Sequence, residues 1–436
     1  MAESNTAIER AKLQLQRGAN RVRGGIITRE RFFAYLTILG PGVIAANAGN
    51  DAGGIATYAS VGAEYGYLLL WTFIPITISL FLVQEMCARM GIVTGKGLSD
   101  LIRERFGVRW TALVMLALLI ANGGVTISEF VGIGLALELF GVPQIVSVPL
   151  AAVAIWWLVV KGSYKRVEQV FLVMSLVFFG YIISAFMVKP EWFEVAKGFA
   201  YPTVKLETGY LFTIVAVIGT TISPYMQVFV QSSVVEKETP IEDYALTRAD
   251  VFTGTLFAMA IAFFIVVSTA ATLHVQNIHI ETAADAARAL EPLAGKYASV
   301  LFAVGLFGAS MLAAGVLPLA TAYSISEALG FEKGLSHDFT EAPIFLGIFT
   351  SLIIIGAVVA ILPGINPFQI LLITQVINGL LLPVTLFAIL LLSSNKEIMG
   401  EHANSFAFKC AAWVITIVVS ILSLSLLGST IFNLIF

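Results

Sequence analysis

Residues 35–61 read YLTILGPGVIAANAGNDAGGIATYASV, and the reading of this stretch decides the fold. It is long and apolar enough to cross a bilayer, yet Gly49, Gly53 and Gly54 crowd around Asp51, its single acid. Glycine weakens a helix interior by about 1 kcal/mol. An acid at the centre of a spanning helix costs a further ~2.5–3.5 kcal/mol on insertion scales. Both penalties within one turn predict an interrupted helix whose freed carbonyls and carboxylate face something positive. A cation is the simplest such partner.

The rest of the chain is equally apolar. Of 436 residues, 58% are hydrophobic and 12% charged, where a soluble domain carries about 25% charge. The expectation is a polytopic, all-α integral membrane protein in contact with the lipid bilayer, binding no nucleic acid and needing no obligate protein partner. Cys87 and Cys410 are too few and too far apart for a disulfide framework or a metal motif. The first thirty residues are polar and basic without an apolar core segment, so no cleavable signal peptide is expected.

Hydropathy predicts about eleven spans. They lie near 34–62, 66–88, 110–140, 144–160, 167–187, 209–235, 249–273, 297–329, 343–362, 366–393 and 406–435. With the basic tail 1–33 in the cytoplasm, twenty of the 25 Lys and Arg residues fall on the cytoplasmic side. Only Lys189, Lys197, Lys205, Arg288 and Lys296 fall outside. The positive-inside rule therefore puts the N-terminus inside and the C-terminus outside, in what reads as a bacterial cell membrane.

A second interrupted span follows about 170 residues after the first, LFTIVAVIGTTISPYMQVFVQSSVVE. Pro224 lacks a backbone N–H and frees a carbonyl one turn upstream, which Ser and Thr side chains can satisfy locally. Gly219, Thr220, Thr221 and Ser223 surround it. Interruptions five spans apart point to an inverted-repeat transporter with its site at the midplane. One transporter domain would run over 34–436, with repeats at about 34–187 and 209–393 and an extra helix at about 406–435.

These residues resemble the natural-resistance-associated macrophage protein (Nramp) family of metal transporters. LGPGVIAANAGNDAGGIATYASVGAEYGYLLLW sits where the family carries its Asp-Pro-Gly-Asn motif, and GTTISPYMQ where it carries Met-Pro-His. CARMGIVTGKGLSD, SEFVGIGLALELFGVP and ITQVINGLLLPVTLFAILLLSSNKEIMGEHAN are further matching blocks, so the resemblance runs from about Tyr35 to Phe406. It implies a leucine-transporter-like 5+5 inverted repeat with helices 1 and 6 interrupted, a transporter rather than an enzyme, and metal ions as substrates with no cofactor. The implied metal positions are Asp51, Ala48, Gly54, Thr220, Ser223, Tyr225 and Gln375.

The departures from the family pattern fall on those positions. Gly54 stands for the family's asparagine, Ser223 for its metal-ligating methionine and Tyr225 for the histidine after the proline. The pattern resembles the Nramp-related magnesium transporters. A thioether favours softer ions, and its replacement by Ser223 leaves oxygen donors. The loss of the asparagine is expected to enlarge the cavity. Mg2+ wants octahedral oxygens, sheds water reluctantly and suits one carboxylate plus room for retained waters; Mn2+ should still pass.

Proton coupling is expected to be lost. The family's relay acids in the third span align with Leu119, Thr126 and Glu129, and only Glu129 is still acidic. His274, His279, His337 and His402 all lie outside the expected spans, and the ninth span is uncharged. Glu129 reads as an acid retained beside the pore, with Thr126 on the same possible path. Tyr225 reads either as a pore-lining group or as an interhelical one. Gln84 and Glu85 would close the second span by capping or packing, and Asp250 would open the seventh, where a negative charge suits a helix N-terminus. Two other carriers compete with an uncoupled Mg2+ importer: a proton-coupled Mn2+/Fe2+ symporter, and an amino-acid transporter of the same fold.

Overall fold

A computed structural model describes residues 49–161, 179–205, 207–288, 295, 298–332, 340–364 and 366–435. All of these fall in one unit, residues 40–436. The basic tail, the first half of the first span and most of the fifth lie outside the described residues.

Among the described residues, eleven of the helices carry the architecture. The first is α1 (Ala52–Tyr65), followed by α2 (Phe73–Thr94), α3 (Leu98–Glu138) and α4 (Gln144–Lys161). The second interrupted span is α5 (Thr208–Thr221) and α6 (Pro224–Glu236), followed by α7 (Tyr244–Thr269). The last four are α8 (Ala298–Leu329), α9 (Pro343–Ala360), α10 (Pro367–Ser393) and α11 (Phe406–Ile435). Among the described residues, eight segments are long and apolar enough to cross a membrane, and Gln144–Val160 is a shorter apolar helix. The chain is an integral membrane protein.

Packing separates two groups. Helix α1 packs on α7, and α2 on both α6 and α7, whereas α3 packs on α4, α8 and α9. Helix α10 links them by touching α1, α3 and α5. The crossing of α5 and α10 is close because glycines meet there: a Cβ on Gly219 would lie 2.1 Å from the Gln375 carbonyl oxygen. Burial follows the same plan. The apolar window of Thr208–Glu236 is 100% buried and that of Phe406–Phe432 only 28%, so the second interrupted span is central and α11 peripheral.

Three expectations change. Helix α2 continues past Glu85 to Thr94, where Gly95 (φ 64°) ends it. Glu85 therefore does not cap the helix; it sits inside it and packs in a buried cluster, the other of the two roles expected of it. Arg89 donates to Glu85 (3.2 Å), to the His402 carbonyl (2.6 Å) and to Asn404 Oδ1 (2.5 Å), and the Tyr244 hydroxyl donates to Glu85. A charge pair this dry is tolerable only because hydrogen bonds from several segments complete it. Asp250 does not open α7 either: a short turn, Ile241–Asp243, feeds a helix that begins at Tyr244, leaving Asp250 buried in its second turn. Helix α3 begins at Leu98, twelve residues before the expected span, and bends at Gly107 (φ 76°) before running through the apolar segment.

Candidate functional site

The first break is shaped by Asp51. Its backbone is extended (φ −69°, ψ −176°), and its carboxylate accepts from the Gly54 N–H at 2.5 Å as the N-cap of α1. An aspartate here satisfies one of the N–H groups that a helix start leaves free. A second carboxylate braces the same turn: Glu129 of α3 accepts from the Ala52 N–H at 3.1 Å and from the Ser128 hydroxyl at 3.3 Å. Asn50 anchors the turn from its other side, donating to the Ala258 carbonyl of α7 at 3.1 Å.

The second break is made by Pro224 and its neighbours. Ser223 is the N-cap of α6, but its hydroxyl turns backward, donating to the Gly219 carbonyl at 2.6 Å and lying 3.3 Å from that of Thr220. The Thr220 carbonyl is the one Pro224 leaves without its helical donor, and the hydroxyl, its proton on Gly219, lies beside it without capping it. Asn378 of α10 reaches in, with Nδ2 donating to Ser223 Oγ at 2.7 Å and to the Gly219 carbonyl at 3.3 Å.

The two breaks meet. Thr220 Oγ1 is 3.5 Å from the Gly49 carbonyl oxygen, the Tyr225 hydroxyl is directed at Asp51, and Tyr58 of α1 bonds Thr221 at 2.7 Å. A Cβ on Gly53 would lie 1.9 Å from Gln375 Nε2, so the glutamine amide rests against the turn after Asp51. Asp51, Gly54, Thr220, Tyr225 and Gln375 are thus gathered around one turn, and Asn378 holds Ser223 at the facing break. Ala48 lies outside the described residues. The hydroxyl of Thr126 donates to the Asn122 carbonyl of its own helix at 2.7 Å, and its methyl faces Gly356 of α9; its described contacts belong to α3 and α9.

The extra room expected at Gly54 is absent. A Cβ there would fall 2.5 Å from the Gly49 carbonyl oxygen, 3.0 Å from Thr220 Oγ1 and 3.1 Å from Asp51 Oδ1. Backbone has closed into the space an asparagine side chain would need. Glycine at this position permits the tight approach of Gly49 and lets the Gly54 N–H reach Asp51.

Asp51, Glu129, Thr220, Ser223, Tyr225, Gln375 and Asn378 are all buried. Among the described residues, Asp51 Oδ2, Gln375 Oε1 and Nε2, and Asn378 Oδ1 have no hydrogen-bond partner. Leaving a buried polar group unpaired costs about 1–3 kcal/mol. Unpaired acceptor oxygens of this kind suit a cation or the protons of the water it carries. No group of three or more His, Cys, Asp or Glu residues suited to a metal occurs among the described residues. The buried acids of the site are Asp51 and Glu129, and its other named polar groups are neutral. Asn378 was missed in the sequence. Its signal was there: three residues after Gln375, it is a second amide on one face of an apolar helix.

Residues 42–429 match the family described as natural resistance-associated macrophage protein-like. The chain is 28% identical over 398 residues to the divalent metal cation transporter MntH of Deinococcus radiodurans, covering 88% of each. It is 29% identical over 412 residues to MntH of Pectobacterium carotovorum, covering 91% of this chain and 95% of the relative. Among solved structures, the Eremococcus coleocola manganese transporter superposes with a TM-score of 0.71 at 20% identity, covering 92% of this chain and 88% of that one. MhsT in complex with L-phenylalanine gives 0.61 at 13% identity, covering 89% and 98%. These likenesses establish a leucine-transporter-like fold.

Proposed function

The chain belongs to the Nramp family, whose members are transporters and not enzymes, and from that premise we propose that it imports divalent metal cations by alternating access. The substrates are Mg2+ and, second, Mn2+, carried without protons. In support of divalent transport, the MntH relatives and the E. coleocola protein are named for divalent metal and manganese. The preference for Mg2+ rests on one observation. The carboxylate with an unpaired oxygen, Asp51, lies beside the Thr220 hydroxyl and the Gln375 amide, while Glu129 is engaged by Ala52 and Ser128, and a hydroxyl, Ser223, stands where the family has thioether. Hard oxygen donors around a partly hydrated ion suit Mg2+. Asp51, Thr220, Ser223, Tyr225 and Gln375, with the Ala48 carbonyl, are the proposed contacts, and Gly54 acts by orienting Asp51.

One observation favours a second reading, proton coupling through Glu129. Its carboxylate and that of Asp51 both serve the first turn of α1, and two carboxylates in a dry site need a cation or a proton to balance them. The amino-acid alternative is weakened by the same geometry. A half-helix N-terminus would hold a substrate carboxylate, but here Asp51 and Glu129 already take those N–H groups.

We also propose the orientation that the Lys and Arg distribution supports, with the N-terminus cytoplasmic, and repeats at about 34–187 and 209–393. The test is purified protein in liposomes loaded with Mg2+- and Mn2+-sensitive dyes. Uptake of both ions, each competing with the other, is expected; Mn2+ uptake indifferent to excess Mg2+ would overturn the Mg2+ assignment.

A further inference from the structure

The amide of Asn378 has a fixed orientation. The Gly219 carbonyl offers only lone pairs, and Ser223 commits its single proton to that carbonyl at 2.6 Å. Both atoms facing Asn378 are therefore acceptors, and the NH2 end must face them, as it does at 2.7 and 3.3 Å. A hydroxyl has one donor and two lone pairs. With its proton on Gly219 and one lone pair on Asn378, Ser223 has a single lone pair left, held in a fixed direction.

The other end of the amide is the unexplained part. Oδ1 of Asn378 is buried without a partner, three residues along the same helix from the equally unpartnered Gln375 amide. An acceptor with no protein donor suits a donor that arrives with the substrate. Mg2+ brings such donors, because it dehydrates reluctantly and enters sites with several waters attached.

We propose that Asn378 sets cation selectivity, fixing Ser223 through Nδ2 while Oδ1 accepts a hydrogen bond from a water that the bound ion retains. This rests on the reading of the chain as a Mg2+ and Mn2+ carrier and assigns part of the preference to a residue outside the implied metal ligands. An ion that keeps its water gains from Oδ1, whereas one that binds with fewer waters does not.

The test compares wild type, Asp51→Ala, Asn378→Leu and Asn378→Ser in liposomes, measuring Mn2+ uptake and its inhibition by Mg2+. Asn378→Leu keeps the volume and removes both amide functions. The Mg2+ concentration that halves Mn2+ uptake should rise about ten-fold, the loss of roughly one hydrogen bond to a charged partner, while the Mn2+ KM moves much less. Asn378→Ser, whose hydroxyl is too short to reach both partners, should shift the ratio in the same direction and serves if the leucine variant does not fold. A purely structural role would lower the rate for both ions and leave their ratio alone. An unchanged Mg2+/Mn2+ ratio in either folded variant overturns the assignment of Asn378, even with the carrier reading intact. Wild-type uptake indifferent to Mg2+, or persisting in Asp51→Ala, overturns the carrier reading and the inference with it.

Discussion

The two helix breaks have the same layout and opposite electrostatics. At each, the residue that starts the second half-helix carries an oxygen, and a polar side chain from a neighbouring helix braces the turn. In the first, the oxygen is the Asp51 carboxylate and the brace is Glu129 of α3. In the second, it is the Ser223 hydroxyl and the brace is Asn378 of α10. One break carries charge and the other a neutral oxygen held in a fixed direction. The difference suggests a division of labour, with affinity for any divalent cation from the first and discrimination among cations from the second.

The largest effect should come from removing the charge. Asp51→Ala is expected to reduce divalent uptake to background while the protein still inserts, because an ion in a dry site needs at least one anionic oxygen. Liposome uptake with purified protein checks this, and transport at the wild-type rate would remove the first break from the site. Next comes the shape of the same turn. Gly54→Ala puts a Cβ 2.5 Å from the Gly49 carbonyl oxygen, and backbone cannot yield as a flexible side chain does. Overpacking of this kind costs about 1–3 kcal/mol. A lower Tm should accompany slower uptake of Mg2+ and Mn2+ alike; unaltered Tm and uptake would mean that the turn tolerates the bulk.

A change at the second break should alter preference more than rate. Ser223→Met restores a soft donor, so Cd2+ and Mn2+ should gain on Mg2+ by about ten-fold in competition assays. Equal competition before and after the substitution would show that donor softness does not set selectivity here. Adding Gly54→Asn, which would restore the family's asparagine, would confound this experiment, since it adds a clash at the Gly49 carbonyl to any change in ligand.

Much of this contrast was legible in the sequence because each break announces itself by a residue that a spanning helix resists. Asp51 is a charge in an apolar run, and Pro224 is a helix breaker with hydroxyls beside it. Local chemistry of that kind is encoded over a few residues. The braces are not. Asn378 meets Ser223 across 155 positions, and Glu129 meets Ala52 across 77, and no local pattern specifies which polar residue of α3 or α10 will arrive. Gly54 misled for the same reason. The loss of a side chain reads as vacant space until the backbone of Gly49 is seen to have filled it. Arg89 and His402, 313 residues apart, complete a cluster around Glu85 and so decide for packing where the sequence left capping and packing both open.

The smallest expected effect is also the sharpest test of the first break: metal entry should not bring protons with it. Leu119, Thr126 and an uncharged ninth span replace titratable groups that a relay would use, and a proton crosses only by stepping stones or a continuous file of water. Two charges moving through 100 mV gain about 4.6 kcal/mol, so an inside-negative potential should speed Mn2+ influx while an internal pH dye stays flat. Glu129 is the remaining acid, and its geometry gives it another task, since Oε2 accepts from the Ala52 N–H at 3.1 Å. Glutamine offers an acceptor oxygen at the same place. Glu129→Gln should therefore preserve the turn and transport at close to the wild-type rate. Glu129→Ala strands a buried N–H at a cost of about 1–3 kcal/mol and should slow uptake and lower Tm. If metal instead acidifies the lumen, and Glu129→Gln abolishes the acidification, then Glu129 is the proton carrier, and the first break handles both the metal charge and the proton.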